Sequence, residues 1–394
     1  MSSHAVIVSR LYAPASAAAA FRLQAVVREL RRSGQSVTVL SAHCGSWRPV
    51  RRVGAEGERI ASWPMFVGSG DGVRRMFSVL SFDAPLAFRL LFCILRHRPT
   101  VVIVEPPPTS GLICAVVGRA ARTSVVYYAA DLWADMFTAS SPVRRGMRGI
   151  FRWVERSCLR ASAAVLTVND ALARRIVSAH SVVPTVVGNG VDLRTYRASG
   201  RERAKVLVYA GTLGVAQGAS ALVDLGLMLG ELDPDARLDV YGEGAERIPI
   251  ELLASRKGLQ NVRFHGGVED IVVAEALARA CAAVVILKEE ELYRAALPTK
   301  IYAALASGAP VIYVGPAGIA SDLIQENGLG IAATRTTLST ISPWLRSRLE
   351  ASDGYRSRDL RGWATANGSL ETVARRVVHA CGRDPGTTRR EVSR

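Results

Sequence analysis

The chain has 394 residues, 49% of them hydrophobic and only 6% aromatic, and its formal net charge is +16 at neutral pH. Because this length is about twice that of a usual domain, we expect two domains with a large apolar core. The six cysteines form no CxxC pair and lie mostly within apolar runs, which excludes a disulfide framework and is typical of a reduced cytosolic protein.

The positive charge is concentrated in the first half of the chain. Residues 1–195 hold 25 Arg, no Lys and 11 acidic residues, for a net charge of +14, whereas the remainder carries +2. This asymmetry favours an anionic partner for the first half: a phospholipid surface, a phosphate-bearing acceptor or nucleic acid. Nucleic acid is the weakest of these, because no aromatic interleaving or recognisable binding module accompanies the charge. The alternative is Arg scattered over a solvated surface, since the whole chain has only four Lys.

Short apolar runs alternate with helical segments through the first half, an order that predicts a parallel sheet because each crossover needs a helix. The strands are predicted at His4–Val8, Val37–Leu40, Val101–Val104, Ser124–Ala129, Ala163–Val168 and Val182–Val187. The helices are predicted at Phe21–Arg32, within Ser62–Leu95, at Leu112–Arg122 after the turn PPPTSG, up to Arg160, and through Val177 with Asp170 as the N-cap.

The N-terminus and one apolar segment bear on localisation. The chain begins with the strand-like AVIV and has no basic region followed by an apolar signal core, so nothing predicts export. Asp83 and Arg89 interrupt the longest apolar stretch, Met76–Leu95, so we expect no membrane-spanning helix. Phe, Leu and Met residues beside Arg74 and Arg75 predict an amphipathic face, which packs on the core or rests on a membrane.

A second basic segment follows later in the first half. Arg residues recur at near-helical spacing and form a predicted basic stripe at Arg144, Arg145, Arg148 and Arg152.

Polar residues follow two of the predicted strands. Glu105 ends one strand, and Asp131, Trp133 and Asp135 follow the next, at the carboxyl end where open α/β sheets place their ligands. The two aspartates are four residues apart, so they fit either an acid–base pair on one helical face or an N-cap at Asp131. Arg22, on the first helix, faces either a ligand or solvent.

The segment GNGVD at 188–192 breaks the pattern and predicts a domain boundary. Strand and helix alternation then resumes, so we predict an N-terminal domain at 1–190, a C-terminal domain at 191–382 and a disordered tail at 383–394. The strands of the second half are predicted at Lys205–Tyr209, Leu238–Gly242, Val262–His265, Ala283–Leu287, 311–314 and Gly330–Ala333. Its helices are predicted at Ala219–Leu232, Arg247–Lys257 and Ile271–Ala280, and two further helical segments contain Trp344 and Trp363.

The stretch LPTKIYAALASGAPVI, Leu297–Ile312, carries the clearest chemical signal. Pro298 presets the first turn of a helix, with Thr299 and Lys300 at its N-terminus, and a Gly and a Pro end it before the next strand. Free N–H groups, a positive helix end and a Lys together suit a diphosphate. The alternative is an ordinary helix with a solvated Lys.

Several other chemistries are excluded by their missing motifs. No GxGxxG follows the first strand, and the chain has neither a GxSxG elbow nor a Walker loop. The six His are isolated and no Cys or carboxylate cluster has metal-ligand spacing, so no metal site is predicted.

Several motifs, in this order, resemble family-four retaining glycosyltransferases of the GT-B fold: NGVD at Asn189–Asp192, YAGTLGVAQG at Tyr209–Gly218, YGEG at Tyr241–Gly244, NVRFHG at Asn261–Gly266, and LPTKIYAALASGAPVI. DLWAD after the strand ending at Ala129 is similar to the DLWP motif of the branch that adds N-acetylated or deoxy-amino sugars in bacterial polysaccharide or glycolipid assembly. The resemblance extends to about residue 380. It implies an α/β, GT-B architecture of two Rossmann-like domains facing across a cleft, with the C-terminal helix packing back toward the first domain.

The resemblance also implies the ligands and their sites. A nucleotide-diphosphate sugar would bind the second domain without a cofactor or metal, and a lipid-linked or glycan acceptor would bind the first, against Arg22, Glu105, Asp131 and Trp133. The catalytic residues would be Lys300, stabilising the departing diphosphate during front-face attack, and Asp131. The implied donor-binding residues are Gly211, Thr212, Leu213, Gly214, Gln217, Gly242, Glu243, Gly244, Leu297, Pro298 and Thr299. Such an enzyme would be cytoplasmic, peripheral on the inner face of the cell membrane.

The chain departs from the family pattern at four positions. Gln217 stands where a basic residue is often found after the glycine turn, as is usual in the branch. Ala295 and Ala303 stand where the family commonly has two Glu, and Ala130 stands where it often has a His. The acidic run Glu289–Glu291 lies just upstream, in another register. The alternative hypothesis is therefore a catalytically silent GT-B protein that binds a nucleotide sugar or a partner glycosyltransferase.

Overall fold

The computed structural model describes residues 3–15, 17–43, 48–66, 72–134, 142–198, 203–214, 217–350 and 357–382. For residues 72–76, 142–145 and 357 it describes the backbone alone. The expectations for Cys44, Asp135 and the tail 383–394 lie outside the described residues, as do the side chains of Arg74, Arg75, Arg144 and Arg145.

The described strands belong to two sheets. In chain order they are β1 (His4–Ser9), β2 (Ser36–His43), β3 (Val50–Val53), β4 (Arg59–Pro64), β5 (Val101–Val104), β6 (Ser124–Ala129), β7 (Ala164–Thr167), β8 (Thr185–Val186), β9 (Ala204–Ala210), β10 (Arg237–Tyr241), β11 (Val262–Gly266), β12 (Ala280–Ile286), β13 (Val311–Val314) and β14 (Gly330–Ala333). The first sheet has the order β3-β4-β2-β1-β5-β6-β7-β8 and the second the order β11-β10-β9-β12-β13-β14. All neighbouring pairs are parallel except β3 with β4.

Helices connect the parallel strands. They are α1 (Ala18–Arg32), α2 (Gly72–His97), α3 (Pro108–Ala120), α4 (Pro142–Ala161), α5 (Asp170–His180), α6 (Ala221–Leu232), α7 (Arg247–Arg256), α8 (Asp270–Arg279), α9 (Thr299–Ala306), α10 (Ile319–Glu326), α11 (Ser342–Glu350), α12 (Ser357–Asn367) and α13 (Leu370–Gly382). The expectation of two Rossmann-like parallel-sheet domains is confirmed.

The chain divides into two compact units. One comprises the part up to Asn189 together with α13, and the other is Gly190–Ser369. Leu370, Val373 and Val377 of α13 pack with α1 in the core of the first unit, although the predicted range 191–382 assigns this helix to the second domain. The first unit is therefore built from two separate parts of the chain.

Each sheet is covered on both faces, which explains its continuous apolar strands. In β1, Ala5 and Ile7 pack with α1 and α13, while Val6 and Val8 pack with α2, α3, α4 and α5, because successive side chains point to opposite faces. The second sheet is likewise covered by two apolar clusters, one of which includes α9. The carboxyl ends of the strands are left to the loops that carry the candidate site.

Two strands of the first unit, β3 and β4, were not predicted. All four residues of β3 are exposed and show no apolar alternation, and the end of β4 lies in the range Ser62–Leu95, within which α2 was predicted. The segment PPPTSG is not wholly a turn, since α3 begins at Pro108, a position where a helix tolerates proline.

The sequence predicted Asp170 as the N-cap of α5, but the N-cap in the structure is Asn169. The Asn169 side chain accepts a hydrogen bond from the Leu172 N–H at 2.8 Å, and Asp170 is the first helical residue. Asn169→Ala is expected to lower the free energy of unfolding by about 1 kcal/mol, because it removes the acceptor of an otherwise unpaired helical N–H. Chemical denaturation measures this. Asp170→Ala, which loses only a favourable charge at the helix end, should cost about half as much or less, and an equal loss would contradict the assignment.

Candidate active site

Lys300 is the second residue of α9, whose first-turn N–H groups point out of the helix at its positive end. Its Nζ donates a hydrogen bond to Tyr209 Oη at 3.0 Å and lies 4.4 Å from the centroid of the same ring. In the part of the chain that the structure describes, the Nζ contacts a phenol and a ring face but no carboxylate.

The environment of this ammonium changes its acidity. Burial lowers the pKa of Lys300 to about 8 from an ordinary value of 10.5. The group is still mostly protonated at pH 7, yet no acidic side chain in the described residues neutralises it. A partly desolvated cation with no carboxylate partner in the described residues, beside a positive helix end, has the chemistry that suits an anionic ligand.

Tyr209 holds Lys300 in place. Its side chain is fully buried near the end of β9, and its Oη donates to the Thr212 carbonyl at 2.8 Å while it accepts from Lys300. Gly211 completes the arrangement, because a Cβ there would overlap Cε and Nζ of Lys300. The loop after β9 and the start of α9 are thus joined through one lysine side chain.

Most backbone N–H groups of the loop after β9 are already paired. Three N–H groups donate within the protein: Gly211 to Tyr241 O at 2.8 Å, Leu213 to Glu243 O at 2.9 Å, and Gly214 to the side-chain oxygen of Gln217 at 3.2 Å. Thr212 is exposed, and its N–H has no acceptor in the described residues. Among the described residues, the backbone donors left for a ligand at this point are therefore the Thr212 N–H and the first N–H groups of α9.

Gly242 and Gly244 serve the packing of two loops on each other. A Cβ on Gly242 would overlap the Gly211 carbonyl oxygen, and one on Gly244 would overlap the Leu213 carbonyl oxygen. The close approach expected of these glycines is thus made by the protein's own backbone.

Glu243 also makes contacts within the protein. Its carboxylate accepts from the Gly267 N–H at 3.1 Å and from Arg247, which ties the loops after β10 and β11 together.

Two of the positions where the family pattern differs are Ala295, in the segment before α9, and Ala303, within α9. Leu297 packs on the apolar cluster around α9, and the Ala303 side chain is 8% exposed in that cluster. The three upstream glutamates are engaged elsewhere: Glu289 accepts from the Arg335 N–H, Glu290 pairs with Lys288 at 2.6 Å, and Glu291 pairs with Arg294 at 3.3 Å. Glu290 and Glu291 thus pair with near neighbours in sequence, and Glu289 pairs with the loop after β14, so all three have partners other than Ala295 and Ala303.

In the first unit, Arg22 and Glu105 are partners of each other. Arg22 Nε and Nη2 donate to one Glu105 carboxylate oxygen at 2.8 and 2.6 Å, and the two side chains are 5% and 3% exposed. Burial raises the pKa of the Glu105 carboxyl, and the guanidinium offsets part of that rise. This buried pairing fixes α1 to the end of β5. The contact of Arg22 and Glu105 with an acceptor stays a prediction.

Asp131 and Trp133 follow β6 in irregular backbone. Because neither Leu132 nor Trp133 is helical, the alternative that Asp131 is an N-cap is not supported. Asp131 is exposed as a residue, but its carboxyl lies near the buried Arg22 and Glu105 pair: burial raises its pKa, and the Arg22 guanidinium offsets part of that rise.

The Trp133 N–H donates to a buried Glu155 carboxylate oxygen at 2.7 Å, and the other oxygen of Glu155 lies 3.4 Å from His180 Nε2. The sequence analysis missed Glu155 and His180, because neither stands out among the Arg and Ala residues of their helices.

Neither cysteine nor metal chemistry is indicated in the described residues. Within these ranges, no three His, Cys, Asp or Glu side chains lie together as a metal site. The free thiols there are Cys93, Cys114, Cys158, Cys281 and Cys381.

Two protein-family models match the chain, one in each half. Residues 18–190 match the model of a glycosyl transferase 4-like domain, and residues 204–339 match that of glycosyl transferases group 1. No curated protein sequence matches the chain significantly.

Several solved structures share the fold at low sequence identity. Sucrose-phosphate synthase from Thermosynechococcus elongatus superposes with a TM-score of 0.73 at 16% identity, over 96% of this chain and 98% of that one. Anabaena Alr3699/HepE in complex with UDP gives 0.69 at 16% identity, over 96% and 99%. WaaG, a glycosyltransferase involved in lipopolysaccharide biosynthesis, gives 0.68 at 16% identity, over 96% and 100%. The chain therefore carries the two domains of a GT-B glycosyltransferase, one 4-like and one of group 1.

Proposed function

We propose that this glycosyltransferase moves a sugar from a nucleoside-diphosphate donor to a lipid-linked or glycan acceptor with retention of configuration. The donor would be a UDP-linked N-acetylhexosamine or a related sugar, and UDP in the HepE structure supports a uridine nucleotide. The observation that carries the proposal is Lys300, an ammonium without a carboxylate partner in the described residues, held by Tyr209 at the start of α9.

The proposed transfer reaction depends on the positive charges at the start of α9. When the bond between the sugar and the diphosphate breaks, negative charge grows on the departing oxygen. The Lys300 ammonium and the first N–H groups of α9 would stabilise that charge, with the Thr212 N–H as a further donor. These groups supply the charge that a metal supplies in other transferases, so we propose a metal-independent reaction. EDTA should then leave the rate unchanged.

The acceptor would bind the first unit, where Asp131 is exposed and Trp133 stands in the same irregular segment. The acceptor hydroxyl would attack from the side on which the diphosphate leaves, which retains the configuration at the anomeric carbon. The new bond from the acceptor oxygen to that carbon would replace the broken bond to the diphosphate, and the hydroxyl proton would pass to the departing diphosphate oxygen. We further propose that the enzyme acts in the cytoplasm in cell-envelope polysaccharide assembly, with the DLWAD motif favouring the branch that adds N-acetylated or deoxy-amino sugars.

The test is transfer by the purified protein. A panel of nucleotide sugars is incubated with polyprenyl-diphosphate and oligosaccharide acceptors, and both nucleotide release and glycosylated product are measured. We expect one donor to give product whose anomeric configuration, read by NMR, matches that of the donor. If no donor in a broad panel gives product or nucleotide release, the proposal fails.

The second candidate is a catalytically silent GT-B protein that binds a nucleotide sugar or a partner glycosyltransferase. It is favoured by Ala295 and Ala303 and by the pairing of Glu289–Glu291 within the protein. In cells, a silent protein would tolerate Lys300→Ala without loss of glycan, although deletion of the gene would abolish the glycan. An enzyme would lose the glycan in both cases.

Tyr209→Phe is expected to lower kcat of transfer by about 5- to 10-fold, the equivalent of about 1 kcal/mol for one hydrogen bond. The ring face remains, but the hydroxyl that accepts from Lys300 and donates to the Thr212 carbonyl is lost. The matched control is Tyr302→Phe on α9, because the Tyr302 hydroxyl has no hydrogen bond in the described residues. Equal rates for the two variants would contradict the positioning role of Tyr209.

A further inference from the structure

Helix α2 has two apolar sides, and only one of them packs in the core of the first unit. Val79, Phe82, Leu86 and Leu90 are buried against the first sheet. The opposite side exposes a second set of large apolar side chains at helical spacing, between 39% and 79% exposed: Phe77, Leu80, Phe88, Leu91, Phe92 and Leu95. An unpartnered stripe of this length is the mark of an interaction surface.

The neighbouring helices extend this surface. α3 packs against both α2 and α4, and all three cover the same face of the first sheet. Their outward sides expose Val116 on α3 and Ile150 and Trp153 on α4, each by at least 58%. We call the exposed apolar residues of α2, α3 and α4 the three-helix face.

The exposed charged side chains of these three helices are positive. Their sequences contain 11 Arg and only two acidic residues, Asp83 and Glu155, which are 5% and 2% exposed. The exposed guanidinium groups in the described residues include Arg96, Arg119, Arg152, Arg156 and Arg160. Apolar and aromatic side chains among Arg, with no exposed carboxylate, complement an anionic lipid surface.

The segment Phe77–His97 is long and apolar enough to cross a membrane, despite Asp83 and Arg89, but 44% of its most apolar window is buried inside the protein. Crossing would remove Phe82, Leu86 and Leu90 from the core. A helix with one side in the core and the other exposed fits docking parallel to the membrane plane.

We infer that the three-helix face is a docking surface for an anionic phospholipid membrane, on which the protein rests without spanning it. The apolar side chains enter the boundary between headgroups and acyl chains, and the Arg side chains contact lipid phosphates. This inference goes beyond the transfer reaction, and its test does not depend on activity.

The test is co-sedimentation of the full chain with vesicles of 30% phosphatidylglycerol in phosphatidylcholine, and with phosphatidylcholine alone. Wild type is expected to bind the anionic vesicles at least 10-fold more tightly, with an affinity that falls as salt rises. F88D/F92D should lower the affinity at least 10-fold, and R152Q/R156Q by about 10-fold. The matched control is I248D/L252D on α7 of the second unit, a pair also four residues apart and 68% and 53% exposed, which should bind like wild type.

Two results would overturn the inference. The first is F88D/F92D binding anionic vesicles as tightly as wild type, with melting curves establishing that both are folded. The second is that the wild-type protein does not bind either kind of vesicle and forms a dimer, as measured by light scattering, while F88D/F92D is a monomer. The face would then be covered by a second copy of the chain.

Discussion

Lys300→Ala is expected to lower kcat of transfer by about 100- to 1000-fold, the usual loss when one preorganised charge at a leaving group is removed. KM for the donor should rise less, because the charge on the departing diphosphate increases as the bond breaks. Steady-state kinetics on the folded variant measure this. Lys257→Ala, which removes an exposed lysine at the end of α7, is the control and should leave both constants unchanged.

The same lysine sets a pH dependence. Because its pKa is about 8, kcat/KM of the wild type should fall as the pH rises through 8, where the ammonium of the free enzyme loses its proton. Lys300→Arg, where any activity remains, should lack this descending limb because guanidinium stays protonated. An unchanged limb in that variant would assign the titration to another group.

As the pH rises above 8, the free energy of unfolding should increase while kcat/KM falls. The pKa of Lys300 is about 8 in the folded protein and 10.5 in the unfolded chain, so the unfolded state binds the proton more readily. The lysine therefore destabilises the fold fully below pH 8 and progressively less between pH 8 and 10.5. Lys300→Met should raise the free energy of unfolding at pH 7, with a gain that vanishes near pH 10.5. A gain independent of pH would contradict the shift.

Gly242→Ala is the change with the largest expected effect on stability. The backbone φ of Gly242 is 142°, which L residues rarely adopt, and a Cβ there would overlap the Gly211 carbonyl oxygen. Since backbone atoms cannot move aside as a side chain can, we expect a loss of about 2–5 kcal/mol, combining strain and overpacking. Denaturant unfolding of the purified variant measures this loss.

A matched control separates the clash from the backbone conformation. Gly258 also has a positive φ, of 71°, but a Cβ there meets nothing within 4 Å. Gly258→Ala should therefore cost about 1 kcal/mol. If the two variants lost equal stability, the loop contact at Gly242 would not be the cause.

The order of strands and helices could be read from the sequence because most strands are buried on both faces and stand out as apolar runs. Helix α9 was predicted from its proline start and glycine end, and the structure begins it at Thr299. β3 could not be predicted in the same way, because its four residues are all exposed and it depends on pairing with β4.

The candidate site was predictable in its residues but not in their partners. Lys300 was singled out from its place at a helix start, yet nothing in the sequence indicates that Tyr209, 91 positions earlier, accepts its hydrogen bond. Arg22 and Glu105 were expected to face an acceptor, and nothing in the sequence indicates that they pair with each other across 83 positions. A sequence pattern can show which residue type stands at the end of a strand or the start of a helix. It cannot show which distant segment that residue contacts, because such contacts depend on tertiary packing.

The separation of α13 from the rest of its unit bears on how the protein is made. The second unit is one continuous segment, and its two ends meet where Val191 bridges Ser369 and the Val191 N–H donates to the Gly368 carbonyl at 2.9 Å. It can complete its core as soon as that segment leaves the ribosome. The first unit cannot complete its core with that segment alone, because Leu370, Val373 and Val377 follow it in the chain. The part of the chain that is made first therefore needs the helix that is made last to complete its core.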